Sequence, residues 1–121
     1  MKKVLIVEDE APLRMALSDK LKNDGFEVFE AEDGAVGLEL VASEKPDLIL
    51  LDLMMPGVDG LSVIKRLKES EETKEIPIMV LTNSSGTDTI MDVVTHGVND
   101  FIVKSDWSIS DILTKVREKL K

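Results

Sequence analysis

Four short apolar runs in the chain each stop at a residue equipped for phosphate or metal chemistry. Val4 to Val7 stop at Glu8 and Asp9, Leu48 to Leu51 at Asp52, Ile78 to Leu81 at Thr82, and Phe101 to Val103 at Lys104. Runs of about four β-branched and aliphatic residues without alternation read as strands buried on both faces, as in a parallel sheet covered by helices. Ligands of such sheets bind beyond the carboxyl ends of the strands. The three carboxylates, the hydroxyl and the ammonium are therefore expected at one rim of one sheet.

The intervening segments carry helical period. Leu13, Leu17 and Leu21 recur at i, i+4 and i+8, with Pro12 suited to a first turn and Gly25 to a C-terminal stop. Phe26 to Ala31 alternates apolar and acidic residues, which predicts a strand with one wet face near a sheet edge. A helix is predicted from about Gly34 to Ser43, with Leu38, Val41 and Ala42 on its inner face. Asp47 to Asp52 is the most buried-looking strand, and a Pro56-Gly57 turn leads to a helix through Leu61, Ile64 and Leu67. Pro77 to Leu81 is the fourth strand, Thr87 to Thr95 a helix stopped by Gly97, and Phe101 to Val103 the fifth strand. In the last helix Ile109, Ile112, Leu113, Val116 and Leu120 form one stripe, and Ser108 and Asp111 are spaced as a capping box with Asp in place of Glu.

Five strands alternating with five helices predict a three-layer α/β sandwich, a (βα)5 doubly wound parallel sheet. The flavodoxin-like order 2-1-3-4-5 puts the wet second strand at an edge. It also sets strands one and three side by side, where the chain turns opposite ways and a ligand crevice opens. Glu8, Asp9 and Asp52 belong to that switch point.

The length of 121 residues suits one domain, residues 1–121, with no room for an output module. A formal charge of −9 disfavours direct contact with a nucleic-acid backbone. There is no cysteine, hence no disulfide, thiolate zinc site or thiol nucleophile. Glu8, Asp9 and Glu10 end the first apolar run too early for a signal peptide, and no run approaches a membrane span. We expect a soluble, cytoplasmic protein.

Three carboxylates without an adjacent base repel one another, which raises one pKa or calls for a shared cation. Mg2+ suits them, being hard, octahedral and oxygen-seeking, and Mn2+ can substitute. A carboxylate beside such an ion can attack phosphorus to give an acyl phosphate. Asp52, on the central strand, is the expected nucleophile, with Glu8 and Asp9 holding the metal. Lys104 can give an ammonium to one phosphoryl oxygen and Thr82 a hydroxyl to another.

Val7-Glu8-Asp9-Glu10, the stretch Asp47 to Gly60 containing Asp52-Leu53-Met54-Met55-Pro56-Gly57-Val58-Asp59-Gly60, Leu81-Thr82 and Phe101-Ile102-Val103-Lys104 together resemble the receiver domain of two-component response regulators. The likeness spans the whole chain. It implies phosphorylation of Asp52 by a histidine kinase or phosphotransfer protein, with Mg2+ on Glu8, Asp9, Asp52 and the Met54 carbonyl. It implies, too, that Thr82 moves toward the phosphoryl group and that Phe101 turns inward in response. The surface of the fourth helix, fifth strand and fifth helix would then meet a downstream effector, a separate output domain, or a second copy in a phosphorylation-dependent homodimer of an otherwise monomeric protein.

Some positions depart from that pattern. Ser105 follows Lys104 where the family usually has proline after a cis peptide, and a cis bond here would cost about 2.5 to 4 kcal/mol. Trp107 is unusual and is expected to anchor that loop or a partner. With a Phe at 101, the inward state is expected to be favoured even without phosphate. Asn83 and Met54 flank the phosphoryl position and predict slow self-hydrolysis. Ser84, Ser85 and Gly86 predict a flexible lead into the fourth helix.

Taken singly, these residues have plainer uses. Glu8 and Asp9 could be a solvated helix start, Lys104 a snorkelling strand end, Thr82 a satisfied hydroxyl and Phe101 a core ring. His96 reads as a helix-end residue, Met15, Met79 and Met91 as core filling, and Glu69 to Glu75 as a solvated connector. The alternatives to a receiver are an aspartate-nucleophile phosphohydrolase, whose Asp-x-Asp signature fails at Met54, and a degenerate receiver used only for binding.

Overall fold

Each of the four apolar runs forms a strand, because a stretch with apolar side chains on both faces can be buried only between two layers. The strands of the computed structural model are β1 (Lys3–Val7), β2 (Glu27–Ala31), β3 (Leu48–Asp52), β4 (Ile78–Thr82) and β5 (Asp100–Val103). The helices are α1 (Ala11–Asn23), α2 (Gly34–Glu44), α3 (Gly60–Glu69), α4 (Thr87–Thr95) and α5 (Ile109–Lys119). The structure describes residues 1–55, 57, 59–83, 87–98 and 100–120, with 87–90 as backbone only. Pro56 of the expected Pro56-Gly57 turn and the expected Ser84 to Gly86 lead lie outside the described residues.

All strands are parallel, in the order β2-β1-β3-β4-β5. The alternating β2 is an edge strand as its pattern predicts, with Glu27 and Glu30 exposed and Ala31 buried. Every residue of β3 and β4 is buried. Alternate side chains feed two cores. Val4, Ile6, Leu48, Leu50, Met79, Leu81 and Ile102 face α1 and α5, where they meet Leu17, Leu21, Ile112 and Val116. Leu5, Val7, Ile49, Leu51, Ile78 and Val80 face α2, α3 and α4, where they meet Val41, Ile64 and Val93.

Local chemistry fixes the helix ends. Pro12 stands in the first turn of α1, and Gly25 follows its end at φ +91°. Asp33 and Asp59 cap α2 and α3 by accepting from Val36 N and Ser62 N at 2.9 and 2.8 Å. The Ser108 and Asp111 capping box of α5 is complete, at 3.1 and 3.0 Å. At Gly60 the constraint is space: a Cβ there would lie 2.6 Å from the Asp52 carbonyl oxygen and from Leu53 Cα. The first turn of α3 thus sits directly on the end of β3.

Three readings of burial need correction. Ala42 is exposed, and the inner face of α2 is Gly34, Gly37 and Val41. The helix approaches so closely that a Cβ at Gly37 would stand 2.9 Å from Val7 Cγ2, so glycines line the contact. Met15 and Met91 are exposed, whereas Met79 is fully buried. His96 behaves as a helix-end residue, its Nδ1 lying 2.6 Å from the Asp92 carbonyl oxygen. No helix among the described residues is long and apolar enough to cross a membrane.

Candidate functional site

Parallel register brings the chemistry together. Val7 pairs with Leu51, Asp52 with Leu81 and Thr82 with Val103. One step past these pairs, Glu8 is level with Asp52 and Lys104 follows beside Thr82. Side chains alternate along a strand, so Glu8, Asp52 and Lys104 continue the face occupied by Ile6, Leu50 and Ile102. Thr82 continues the other. The β5 end is tied to β4 by Lys104 N donating to the Thr82 carbonyl at 2.8 Å.

Glu8, Asp52 and Thr82 are buried, at 0, 2 and 1% exposure. The Lys104 ammonium stands among carboxylates, 2.6 Å from Glu8 Oε1, 3.1 Å from Glu10 Oε1 and 3.3 Å from Asp52 Oδ2. Its contact with Glu8 Oε1 is a close approach of charges without hydrogen-bond direction, and Oε1 makes no hydrogen bond. Glu8 Oε2 accepts from Glu10 N at 3.1 Å, and Asp52 Oδ1 from Met54 N at 3.1 Å.

Burial controls the protonation here. It pushes the Glu8 carboxyl up to about 7, against the opposing pull of Lys104. Burial raises Asp52 as well, and neighbouring Glu8, the Met54 amide and Lys104 moderate the rise. Burial opposes the charge on Lys104, but Glu8, Asp52 and Glu10 outweigh it and hold the ammonium at about 12. Both carboxyls therefore sit above their ordinary values beside a strongly held ammonium.

Glu8, Glu10 and Asp52 bring carboxylate oxygens within 4.8 Å of one another. Asp9 is exposed and stands outside that trio, though its carboxylate lies near enough to Asp52 to raise its pKa. Glu10 is not among the residues the apolar runs single out. The residue holds the N-cap position of α1 yet makes no side-chain cap, because its carboxylate turns to Lys104 instead. The available signal was the third consecutive acid after β1.

The remaining expected residues frame the rim. Met54 is 70% exposed beside Asp52, and Asn83 is exposed just past Thr82. Phe101 is part-buried against the α2, α3 and α4 core, opposite Val80 in the sheet. The Lys104-Ser105 peptide is trans, and the chain turns through Asp106 N donating to the Val103 carbonyl at 3.0 Å. Trp107 packs part-buried on the α1 and α5 core, so it anchors this loop.

Donor chemistry fits a hard divalent cation. Oxygen ligands converge, one buried carboxylate oxygen lacks a hydrogen bond, and among the described residues Lys104 is the cation that stands against them.

A family model described as the response regulator receiver domain matches residues 4–117. PhoB of Pseudomonas aeruginosa, a phosphate regulon transcriptional regulatory protein, is 37% identical over 120 residues, covering 99% of this chain and 52% of its own length. RpaA of Synechocystis, a DNA-binding dual master transcriptional regulator, is 34% identical over 121 residues, covering 100% of this chain and 50% of its own. The chain spans about half the length of the curated relatives it matches. Among solved structures, chemotaxis protein CheY4 of Vibrio cholerae superposes with a TM-score of 0.90 at 27% identity, covering 98% of both chains. A response regulator of Chloroflexus aurantiacus gives 0.88 at 28% identity, covering 98% of this chain and 97% of its own.

Proposed function

The chain belongs to the response regulator receiver domain family, and from that premise we propose that residues 1–121 form one phosphorylatable receiver, a signalling switch that accepts a phosphoryl group on Asp52. The observation that carries this reading is a buried Asp52 at the carboxyl end of the central strand, with the Lys104 ammonium 3.3 Å away and Glu8 against it.

In the proposed reaction an Asp52 oxygen bonds to phosphorus while the bond from phosphorus to the donor breaks, the departing group leaving with its electron pair. The donor is a phosphohistidine of a histidine kinase or phosphotransfer protein, or a small acyl phosphate. Lys104 neutralises one phosphoryl oxygen and Thr82 donates its hydroxyl to another. Glu8, Asp9, Asp52 and the Met54 carbonyl would hold Mg2+ or Mn2+, which offsets charge on the phosphoryl oxygens. Glu8 would serve there in its ionised form.

Phosphorylation then biases the surface of α4, β5 and α5 through Thr82 and Phe101, for an effector, an output domain or a second copy. Catalysis by the chain is limited to its own phosphorylation and dephosphorylation, in the cytoplasm. The PhoB and RpaA relatives are named as transcriptional or DNA-binding regulators and are about twice as long. On this reading the receiver itself, with a formal charge of −9, makes no nucleic-acid contact.

Incubation with Mg2+ and acetyl phosphate followed by mass spectrometry tests the proposal. One added phosphoryl group, absent from Asp52→Asn, is expected. Steady phosphate release without an adduct would favour the hydrolase reading, and no reaction the binding-module reading.

A further inference from the structure

Arg14 lies one turn into α1, its amide bonded to the Glu10 carbonyl at 3.0 Å, and its side chain turns back over the loop between β1 and α1. Nη1 donates to the Glu8 carbonyl oxygen at 2.8 Å, and Nε stands 3.3 Å from Glu30 Oε1 on β2. The side chain is only 16% exposed. A lysine's single ammonium does not match this planar two-way span.

The Glu8 backbone is consequently held to β2 at both ends. Its amide donates directly to the Ala31 carbonyl at 3.0 Å, and its carbonyl is reached through Arg14 and Glu30. With both peptide groups fixed, the Glu8 side chain is directed inward, where Oε1 meets Lys104. Among the described residues, no hydrogen bond or ion pair joins Arg14 to a carboxylate of the site. It acts on the backbone that carries one of them.

We propose that Arg14, anchored by Glu30, is a positioning residue that sets Glu8 for divalent-cation binding. This rests on the receiver reading above. Outer partners that orient a ligand commonly matter about tenfold or more in metal affinity. The pair also gives a use to Glu30, an acid on the outer side of an edge strand.

The test is Mn2+ binding, followed by the electron paramagnetic resonance signal of the free ion, on the whole chain and three variants under conditions where circular dichroism shows each folded. Arg14→Met, which keeps the apolar stem, should bind Mn2+ about tenfold more weakly than the parent. Arg14→Lys and Glu30→Ala, each removing part of the linkage, should fall between. A clamp that only stabilises the fold would leave affinity equal among folded variants, and equal affinities overturn the inference while leaving the receiver reading intact. A parent chain that binds no Mn2+ overturns both. Should Arg14→Met not fold, parental affinity in both Arg14→Lys and Glu30→Ala is the overturning result.

Discussion

The Lys104 ammonium lies closer to Glu8, at 2.6 Å, than to Asp52, at 3.3 Å. In the resting chain its principal partner is therefore the acid at the end of β1. Lys104 is thus counter-ion to the whole pocket, and on the proposed reading a phosphoryl group on Asp52 would have to draw it from there.

Removing that charge should be felt by both carboxylates. In Lys104→Met the pKa of Glu8 should rise above about 7 and that of Asp52 should also rise, since Lys104 lowers each. Carboxyl carbon NMR titration reads this directly. Stripping one partner from a buried pair costs about 3 kcal/mol or more. The deficit should be largest above neutrality, where Glu8 is ionised, and smaller where it is protonated. A titration of Glu8 unchanged by the substitution would show that Lys104 is not its counter-ion.

Stability should fall with rising pH across the interval from 4.5 to about 7. The folded chain keeps a proton on Glu8 that the unfolded chain has already released, so folding binds protons there and loses stability as they are removed. Asp52, raised by the same burial, acts in the same direction. Urea midpoints should decline through this window, and Glu8→Gln should flatten the decline. Saturating Mg2+ should restore stability at the upper end by mass action.

The acyl phosphate should hydrolyse slowly, since Met54 and Asn83 stand beside Asp52 and Thr82 at the open side of the rim. Met54→Asn and Asn83→Ala should shorten the half-life of the adduct, followed by mass spectrometry after removal of acetyl phosphate. Unchanged decay in both would exclude steric shielding by these side chains.

Ser108→Ala tests the link between the β5 end and the last helix. It removes the acceptor for Asp111 N and should cost about 1 kcal/mol, a Tm lower by about 4 °C. Phosphorylation of Asp52 should survive, because Lys104 is held separately through its amide to Thr82.

The sheet order and most of the site were legible because they are written in local patterns. Continuous apolar runs announce buried strands, the alternating β2 announces an edge, and parallel strands send their last residues to one rim. What hydropathy hides is contact through missing atoms. Gly34 and Gly37 carry the inner face of α2, so Ala42 looked like a better candidate than it is. Met15 and Met91 sit in apolar stretches of their helices yet are exposed, and Met15, two residues from both Leu13 and Leu17, is turned about 200° from their stripe. Glu10 is hidden in the sequence for another reason. An acid at a helix start has an ordinary use, and only the approach of Lys104 from a strand end 94 residues away redirects it.

At Gly60 the fold leaves no volume beyond a hydrogen atom between the opening turn of α3 and the backbone of Asp52 and Leu53. The restriction is indifferent to chemistry, so alanine would intrude there as surely as tryptophan. Any lineage that abandoned glycine at this position would have to re-seat a helix against the very residue assigned to capture phosphorus, and so would alter its signalling chemistry by way of its architecture.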